Sequence, residues 1–305
     1  MSAPPPDRAR RTLSLLAMAP EAGYALLDSG NGRKLERYGS FVFDRPEPQA
    51  LWRPRRDAAA WLRADASFKS ESDEDGDGGR WRWTKPLPKT WPVEIMGVTV
   101  LCRLMSFRHL GLFPEQVPHW QWMLDRLAAV RGERPRVLNL FAYTGAASLI
   151  AARAGAEVTH VDASKKAIQW ARENQTVSGL SDAPIRWILD DAKKFVAREV
   201  RRGRTYHVVL VDPPKYGRGP EGEVWDFFND VPGLIGDCAQ LLAPADSALV
   251  LTSYAIRASS LAIDGLVREI MSGRTGTIDS GELAITEEGS GRLLPTSLYS
   301  RWSAS

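Results

Sequence analysis

The stretch from Arg136 to Asp162 limits the fold more than any other part of the chain. It reads Arg136-Val-Leu-Asn-Leu-Phe-Ala-Tyr-Thr-Gly-Ala-Ala-Ser148, then a run of small and apolar residues, then Glu157-Val-Thr-His-Val-Asp162. A short apolar run ends in a Gly-containing turn, a helix of small residues follows, and a second apolar run ends in a carboxylate. That is a βαβ unit with the layout of a nucleoside site. Small residues at the turn let backbone amides approach a ligand closely. The helix N-terminus favours polar or negative groups. An acid at the tip of the second strand can accept both hydroxyls of a ribose.

Beyond this unit strand and helix periodicities alternate. Strands are predicted at 136–141, 157–161, 185–189, 206–211 and 248–252, and helices at 146–154, 165–178, 192–202, 231–242 and 259–271. Residues 212–222 read as a loop, and two strand candidates close the chain near 281–286 and 296–302. Alternating βα units with a terminal strand pair predict an α/β fold with a mostly parallel, doubly wound sheet.

The upstream part reads differently. Residues 1–21 are expected to be a flexible tail, with Pro4, Pro5 and Pro6 against early structure. A basic segment at 8–11 before Leu13-Ser-Leu-Leu-Ala-Met-Ala19 faintly resembles a signal core, but its apolar part is short and holds a Ser, so a cytoplasmic protein is expected. Residues 22–118 are expected to be a β-rich domain: Tyr24-Ala-Leu-Leu-Asp28, the turn Ser29-Gly-Asn-Gly32 and Lys34-Leu-Glu-Arg-Tyr38 read as a hairpin. Residues 70–79 form an acidic, Gly-rich tract. The Gly is misplaced for a calcium loop and no closing Glu follows, so a solvated hairpin tip is expected. Seven of the eleven tryptophans lie in the first 130 residues. Core packing is the better reading for most of them, with base stacking by Trp81-Arg-Trp83 as the rival. Residues 119–305 hold the nucleoside-binding unit.

Composition narrows the chemistry. The chain of 305 residues has 44% hydrophobic residues and a net charge of +3, ordinary values that permit an acidic partner without demanding one. Its two cysteines, Cys102 and Cys238, supply neither a disulfide framework nor a zinc site. A nicotinamide fingerprint wants three glycines after the first strand, and this turn has one, Gly145. A Walker A sequence is lacking too. One Gly and an Asp seventeen residues later suit a nucleoside without phosphates. S-adenosylmethionine (SAM) is the expected ligand, its amino-acid end at Phe141–Gly145 and its ribose on Asp162. Asp190 and Asp191 end the third strand. One can cap the following helix while the other reaches the adenine amine, and Asp191 is preferred for the ligand.

The fourth strand ends in Asp212-Pro213-Pro214-Lys215-Tyr216. Ligands of open α/β sheets sit at the carboxyl ends of the strands, so Asp212 is expected beside the cofactor. Two prolines stiffen the loop. A carboxylate and a Pro213 carbonyl there can accept hydrogen bonds from an amine that must attack a methyl group, and Tyr216 can stack on a base.

Residues 136–254 resemble class I SAM-dependent methyltransferases, and within them the group of bacterial large-subunit rRNA methyltransferases for cytosine carbon 5 and guanine N7. The resemblance rests on Asn139-Leu-Phe-Ala-Tyr-Thr-Gly145, His160-Val-Asp162-Ala-Ser164, Ala171-Arg-Glu-Asn174 with Ser178-Gly-Leu180, Asp191-Ala, and Asp212-Pro-Pro-Lys-Tyr216. It implies a Rossmann-like class I methyltransferase domain behind a small β-rich substrate domain. It implies cofactor contacts at Phe141, Tyr143, Thr144, Gly145, Asp162, Ser164, Asn174 and Asp191, with Glu115 and Gln116 closing from upstream. It implies Asp212, Pro213, Pro214 and Tyr216 as the catalytic loop. The expected acceptor is a base nitrogen in RNA, ribosomal RNA foremost, with neither metal nor membrane involved. Carbon-5 chemistry in that group uses a Cys after the fifth strand. Here that place reads Leu251-Thr-Ser253-Tyr254, so direct transfer to a nitrogen or oxygen is expected instead. A basic face from Arg103, Arg108, Lys215 and Arg218 would favour RNA, and a narrow apolar pocket would favour a small acceptor. A protein acceptor, or an RNA-binding protein that has lost catalysis, stay open.

Overall fold

The computed structural model describes residues 12–70, 78–254 and 256–305. The chain begins with β1 (Ser14–Met18), β2 (Tyr24–Gly30), β3 (Arg33–Tyr38), β4 (Phe41–Pro46), α1 (Ala58–Leu62), β5 (Ala66–Ser70), β6 (Gly79–Trp83), β7 (Trp91–Ile95) and β8 (Val98–Cys102). A 3₁₀ turn at Pro114–Gln116 leads into α2 (Val117–Ala129). Then follow β9 (Arg136–Leu140), α3 (Ala146–Arg153), β10 (Glu157–Asp162), α4 (Lys165–Val177), β11 (Ile185–Leu189), α5 (Ala192–Arg201) and β12 (Val208–Val211). The chain ends with β13 (Tyr216–Arg218), β14 (Val224–Asp226), α6 (Phe227–Gln240), β15 (Ala248–Tyr254), α7 (Ser260–Ile270), β16 (Gly276–Thr286) and β17 (Leu293–Ala304).

The main sheet has eight strands in the order β1-β16-β17-β15-β12-β9-β10-β11. β9 to β12 and β15 pair in parallel, and β17 runs antiparallel to both β15 and β16. β9 is where the strand order reverses: β10 and β11 continue one way, β12 and β15 the other. The crevice for a ligand opens at that switch point, above the carboxyl ends. Every residue of β12 is buried, which is why Val208-Val-Leu-Val211 shows no polar alternation.

One apolar core joins α2 and α3 to one sheet face, and a second joins α5, α6 and α7 to the other. α3 is short and built of small residues, with Ala146 to Ala152 all buried. Small side chains let β8 and α2 pack close on its outer side.

The N-terminal part folds as a five-stranded sheet, β2-β3-β4-β5-β6, and the separate hairpin β7–β8. Its core is aromatic: Phe43 stacks on Trp91 at 5.1 Å, with Trp81 and Tyr38 edge-on to Phe43. Core packing is therefore the role of Trp81 and Trp91, whereas Trp83 is 60% exposed. This core is continuous with the α2–α3 face of the main sheet. Helix α4 laces the hairpin on: Asn174 Oδ1 accepts from the Leu101 N–H at 2.9 Å, Ser178 Oγ accepts from the Thr99 N–H at 3.0 Å, and the Trp170 indole donates to the Leu101 carbonyl at 2.6 Å.

Two expectations are corrected here. Ser14–Met18, placed in the tail, form an edge strand parallel to β16. Its partner lies at the far end of the chain, so no local pattern announced the pairing. Residues 212–222 are not all loop, because Tyr216–Arg218 pairs with Val224–Asp226 as a hairpin. The acidic tract lies outside the described residues over 71–77, between the paired strands β5 and β6.

Candidate active site

A cleft of about 1800 Å³ opens over the carboxyl ends of β9, β10, β12 and β15. Its far walls come from the segment after β8, including Arg108 to Gln116, from Pro46–Gln49 after β4, and from Pro295–Leu298 of β17. All the anticipated site residues line it except Gly145 and Asn174.

The turn after β9 is built under strain. Phe141 and Tyr143 have φ of 54° and 49°, a left-handed conformation that non-glycine residues rarely adopt. Asp162 holds Tyr143 there. Its Oδ2 accepts from the Tyr143 N–H and its Oδ1 from the Ser164 N–H, both at 2.8 Å. Burial pushes the Asp162 carboxyl above its ordinary pKa against these two bonds. Each oxygen keeps a second lone pair, and Asp162 lines the cleft. Ser164 caps α4 by accepting from the Ala167 N–H. Gly145 has φ of 85°, and a Cβ on it would meet the Ala171 Cβ at 3.0 Å, so this residue sets how closely α3 and α4 approach.

Thr144 and Asn174 act behind the wall. The Thr144 hydroxyl donates to the Gly111 carbonyl at 2.6 Å, and the Asn174 side chain donates to the Thr144 carbonyl at 2.9 Å. Asn174, anticipated at the cofactor, is fully buried and braces the turn to β8. Gly111 in turn lies against the Trp170 ring, which a Cβ would strike at 2.3 Å. At the end of β11, Asp191 Oδ1 caps α5 through the Lys194 N–H, and Asp190 is held by Arg198. The carboxylate preferred for the ligand is thus the capping one, although it still lines the cleft.

The Asp-Pro-Pro loop is clamped from two sides. Gln116 Nε2 donates to Asp212 Oδ2 at 3.1 Å, and the Thr252 hydroxyl lies 3.4 Å from Gln116 Oε1. On the other side the Trp225 indole donates to the Pro214 carbonyl at 2.7 Å while its ring packs on Phe141 at 4.9 Å. Neither clamp was legible in the sequence, because each joins residues brought together only by the fold. Asp212 is packed by protein on all but its cleft side. Burial, reinforced by the neighbouring Glu115 carboxylate, pushes its pKa up to about 7. Glu115 is raised by burial too. Two carboxyl groups and an amide thus face one wall, suited to accept hydrogen bonds from a polar acceptor.

Of the anticipated cations, Arg108, Lys215 and Arg218 line the cleft, joined by Arg257. Arg103 does not. It stacks on Trp170 at 4.1 Å and pairs with Glu173 at 2.7 Å. Both cysteines are fully buried away from the cleft, and burial raises both thiols.

Comparison with known proteins places the fold in a family. The ribosomal RNA large subunit methyltransferase K/L of Shewanella frigidimarina is 36% identical over 153 residues, 50% of this chain and 20% of that protein. The ribosomal RNA large subunit methyltransferase I of Shewanella denitrificans is 41% identical over 126 residues, 41% of this chain and 30% of that protein. The chain therefore spans less than a third of the length of these curated relatives. A crystal structure of a SAM-dependent methyltransferase from Agrobacterium tumefaciens matches with a TM-score of 0.92 at 50% identity, over 97% of this chain and 95% of that one. The family model described as S-adenosylmethionine-dependent methyltransferase matches residues 57–270, most of the chain and all of the cleft's β9–β15 floor, and the chain belongs to that family.

Proposed function

We propose that this SAM-dependent methyltransferase methylates a nitrogen of a base in RNA, with ribosomal RNA the first substrate class to test. The observation that carries the reading is Asp212. It is a half-buried carboxylate at the switch-point crevice, aimed by Gln116 and followed by a loop pinned through Pro214. The cleft exceeds the roughly 300–1000 Å³ typical of small-molecule sites, leaving room for an acceptor beside the cofactor. Arg108, Lys215, Arg218 and Arg257 give its walls the cations a phosphate backbone needs. The names of the rRNA methyltransferase relatives support the same class.

The strained turn and the strand-tip acid fit the cofactor. Asp162 would take the ribose hydroxyls, the Phe141–Gly145 turn and the α3 N-terminus the amino-acid end, and Asp191 the adenine side. SAM supplies a methyl group on a sulfonium, already activated for displacement. The protein's task is then alignment, which can contribute about 7–11 kcal/mol of a barrier. Asp212 and the Pro213 carbonyl hold the acceptor's N–H groups so that its lone pair faces the methyl group. With no cysteine in the cleft, transfer is direct rather than through a covalent ring adduct.

The test is tritiated-methyl transfer from SAM to total RNA and, separately, to total protein, with Asp212→Ala as control. Label should enter RNA and fall about a hundredfold or more in the variant. Counts in protein alone, or counts unaffected by the substitution, overturn the acceptor or the loop assignment respectively.

A further inference from the structure

Buried polar groups in folded proteins are almost always hydrogen-bonded, so exceptions in a cleft wall call for a partner. Three such exceptions line this cleft, His119, Ser253 and Ser297, and two of them share one side of the sheet. His119, in the first turn of α2, is 1% exposed, and neither ring nitrogen has a partner. Ser297 of β17 is 8% exposed, and its hydroxyl has none. The register places them on one sheet face. Thr252 pairs with Tyr299 and Tyr254 with Ser297, so these four share a side of the sheet. The His119 ring packs edge-on against Tyr299 at 4.9 Å, which puts it on that side too. Ser253, whose hydroxyl is also unpartnered, falls on the opposite face by alternation.

The location relative to Asp212 is what gives these groups meaning. Asp212 ends β12, Thr252 is on the neighbouring β15, and Ser297 is on β17 beyond it. Ser297 lies two strand spacings across and two residues along from the level of Asp212, about 12 Å between backbones, which side chains and a ring system at the catalytic loop can span. The side away from β10 is also the side away from Asp162, where the cofactor's ribose is assigned. Burial pushes the His119 pKa down to about 3, so the imidazole is neutral and offers one donor and one acceptor. A serine hydroxyl offers the same pair. Neutral groups of this kind match an uncharged, planar edge carrying adjacent donor and acceptor atoms.

We propose that His119 and Ser297 form an acceptor-edge subsite that reads the hydrogen-bonding edge of the base whose nitrogen lies at Asp212. The assignment rests on the RNA-base reading above. It makes both residues specificity determinants rather than catalytic ones, and it explains why two polar groups are kept where apolar ones would pack without cost.

The test uses Ser297→Ala and His119→Phe in the full chain. The first removes only the hydroxyl, and the second keeps a ring against Tyr299 while deleting both nitrogens. Four quantities are measured: SAM affinity by calorimetry, KM and kcat for methyl transfer to total RNA, and Tm. The expected result is SAM affinity within about twofold of wild type, with KM for RNA raised about fivefold in Ser297→Ala and about tenfold in His119→Phe. Tm should be unchanged or higher, since an unpaired buried polar group has been removed. Ser297→Ala alone decides the matter if His119→Phe does not fold. An unchanged KM overturns the subsite, as does a fall in Tm with KM unmoved, which would mark a structural partner such as an ordered water. Weakened SAM binding would reassign the pair to the cofactor and also overturn it. Wild-type protein that labels no RNA sinks the RNA reading itself, a result separable from the others because it appears before any variant is made.

Discussion

Asp212 carries a prediction that separates its two roles. Only when ionised does it accept with both oxygens and donate nothing, and its pKa of about 7 lies far above the ordinary 3.8. Methyl transfer should therefore rise with pH through a limb near 7, and Asp212→Asn should abolish that limb in the pH profile of kcat/KM. The same shift costs stability. The folded chain holds this proton to higher pH than the unfolded chain does, so stability falls as pH rises from about 3.8 to 7, and the full cost persists above it. Asp212→Asn removes the cost. Its Tm at pH 8 should exceed wild type by roughly 3 °C or more, with the gain shrinking towards pH 4. A variant less stable than wild type at pH 8 would sink this account. At this scale the sequence was readable where chemistry and position coincide. Asp162 at a strand tip and Asp212 before two prolines lie where their neighbours in the chain predict. Asn174 was not readable, because the Leu101 N–H that it satisfies belongs to an element 73 residues away. Asp191 was readable only as one of two acids, since capping a helix and lining a strand-end cleft demand the same position.

At the scale of elements, the hairpin β13–β14 is the device that shapes the Asp-Pro-Pro loop. Gly217 and Trp225 face each other across it, and the Trp225 indole reaches back to the Pro214 carbonyl. Lys194 of α5 pins its tip through Glu221 and Glu223. Tyr216, anticipated to hold the acceptor, is on the strand itself and 64% exposed at the cleft rim. Trp225→Phe keeps the packing on Phe141 and deletes the N–H. The expected outcome is a ten- to hundredfold fall in kcat, roughly, with SAM affinity within about twofold, because misplacing a reacting group by about 1 Å can cost that much. A kcat unchanged from wild type, measured by single-turnover transfer, would show that the clamp does not matter. The βα alternation downstream of Arg136 was legible because long helices and buried strands repeat their periods over many residues. β13, β14 and β1 were not: the first two are three residues long, and β1 takes its meaning from β16 on the other side of the fold.

For the whole molecule, the N-terminal part and the methyltransferase sheet share one core, and Asn174 is one of the braces between them. Asn174 serves the Leu101 N–H of β8 with one atom and the Thr144 carbonyl of the turn after β9 with the other. Beneath the cleft, Glu36 of β3 accepts from the Tyr24 hydroxyl at 2.8 Å and pairs with Arg45 at 2.6 Å, and Arg45 donates onward to the Arg108 carbonyl at the cleft wall. Such coupling means that the two parts should not melt separately. Urea unfolding followed by tryptophan fluorescence, weighted to the N-terminal part by the five of eleven tryptophans between residues 22 and 118, should coincide with unfolding followed by far-UV circular dichroism. Asn174→Ala leaves a buried donor and a buried acceptor unpaired, a loss of about 2–4 kcal/mol. It should move both curves to lower urea together and weaken SAM binding, although Asn174 itself does not line the cleft. Two separated transitions in the wild type would disprove the shared core as a cooperative unit. A variant that unfolds earlier yet binds SAM with wild-type affinity would show that the brace supports the fold without tensioning the turn.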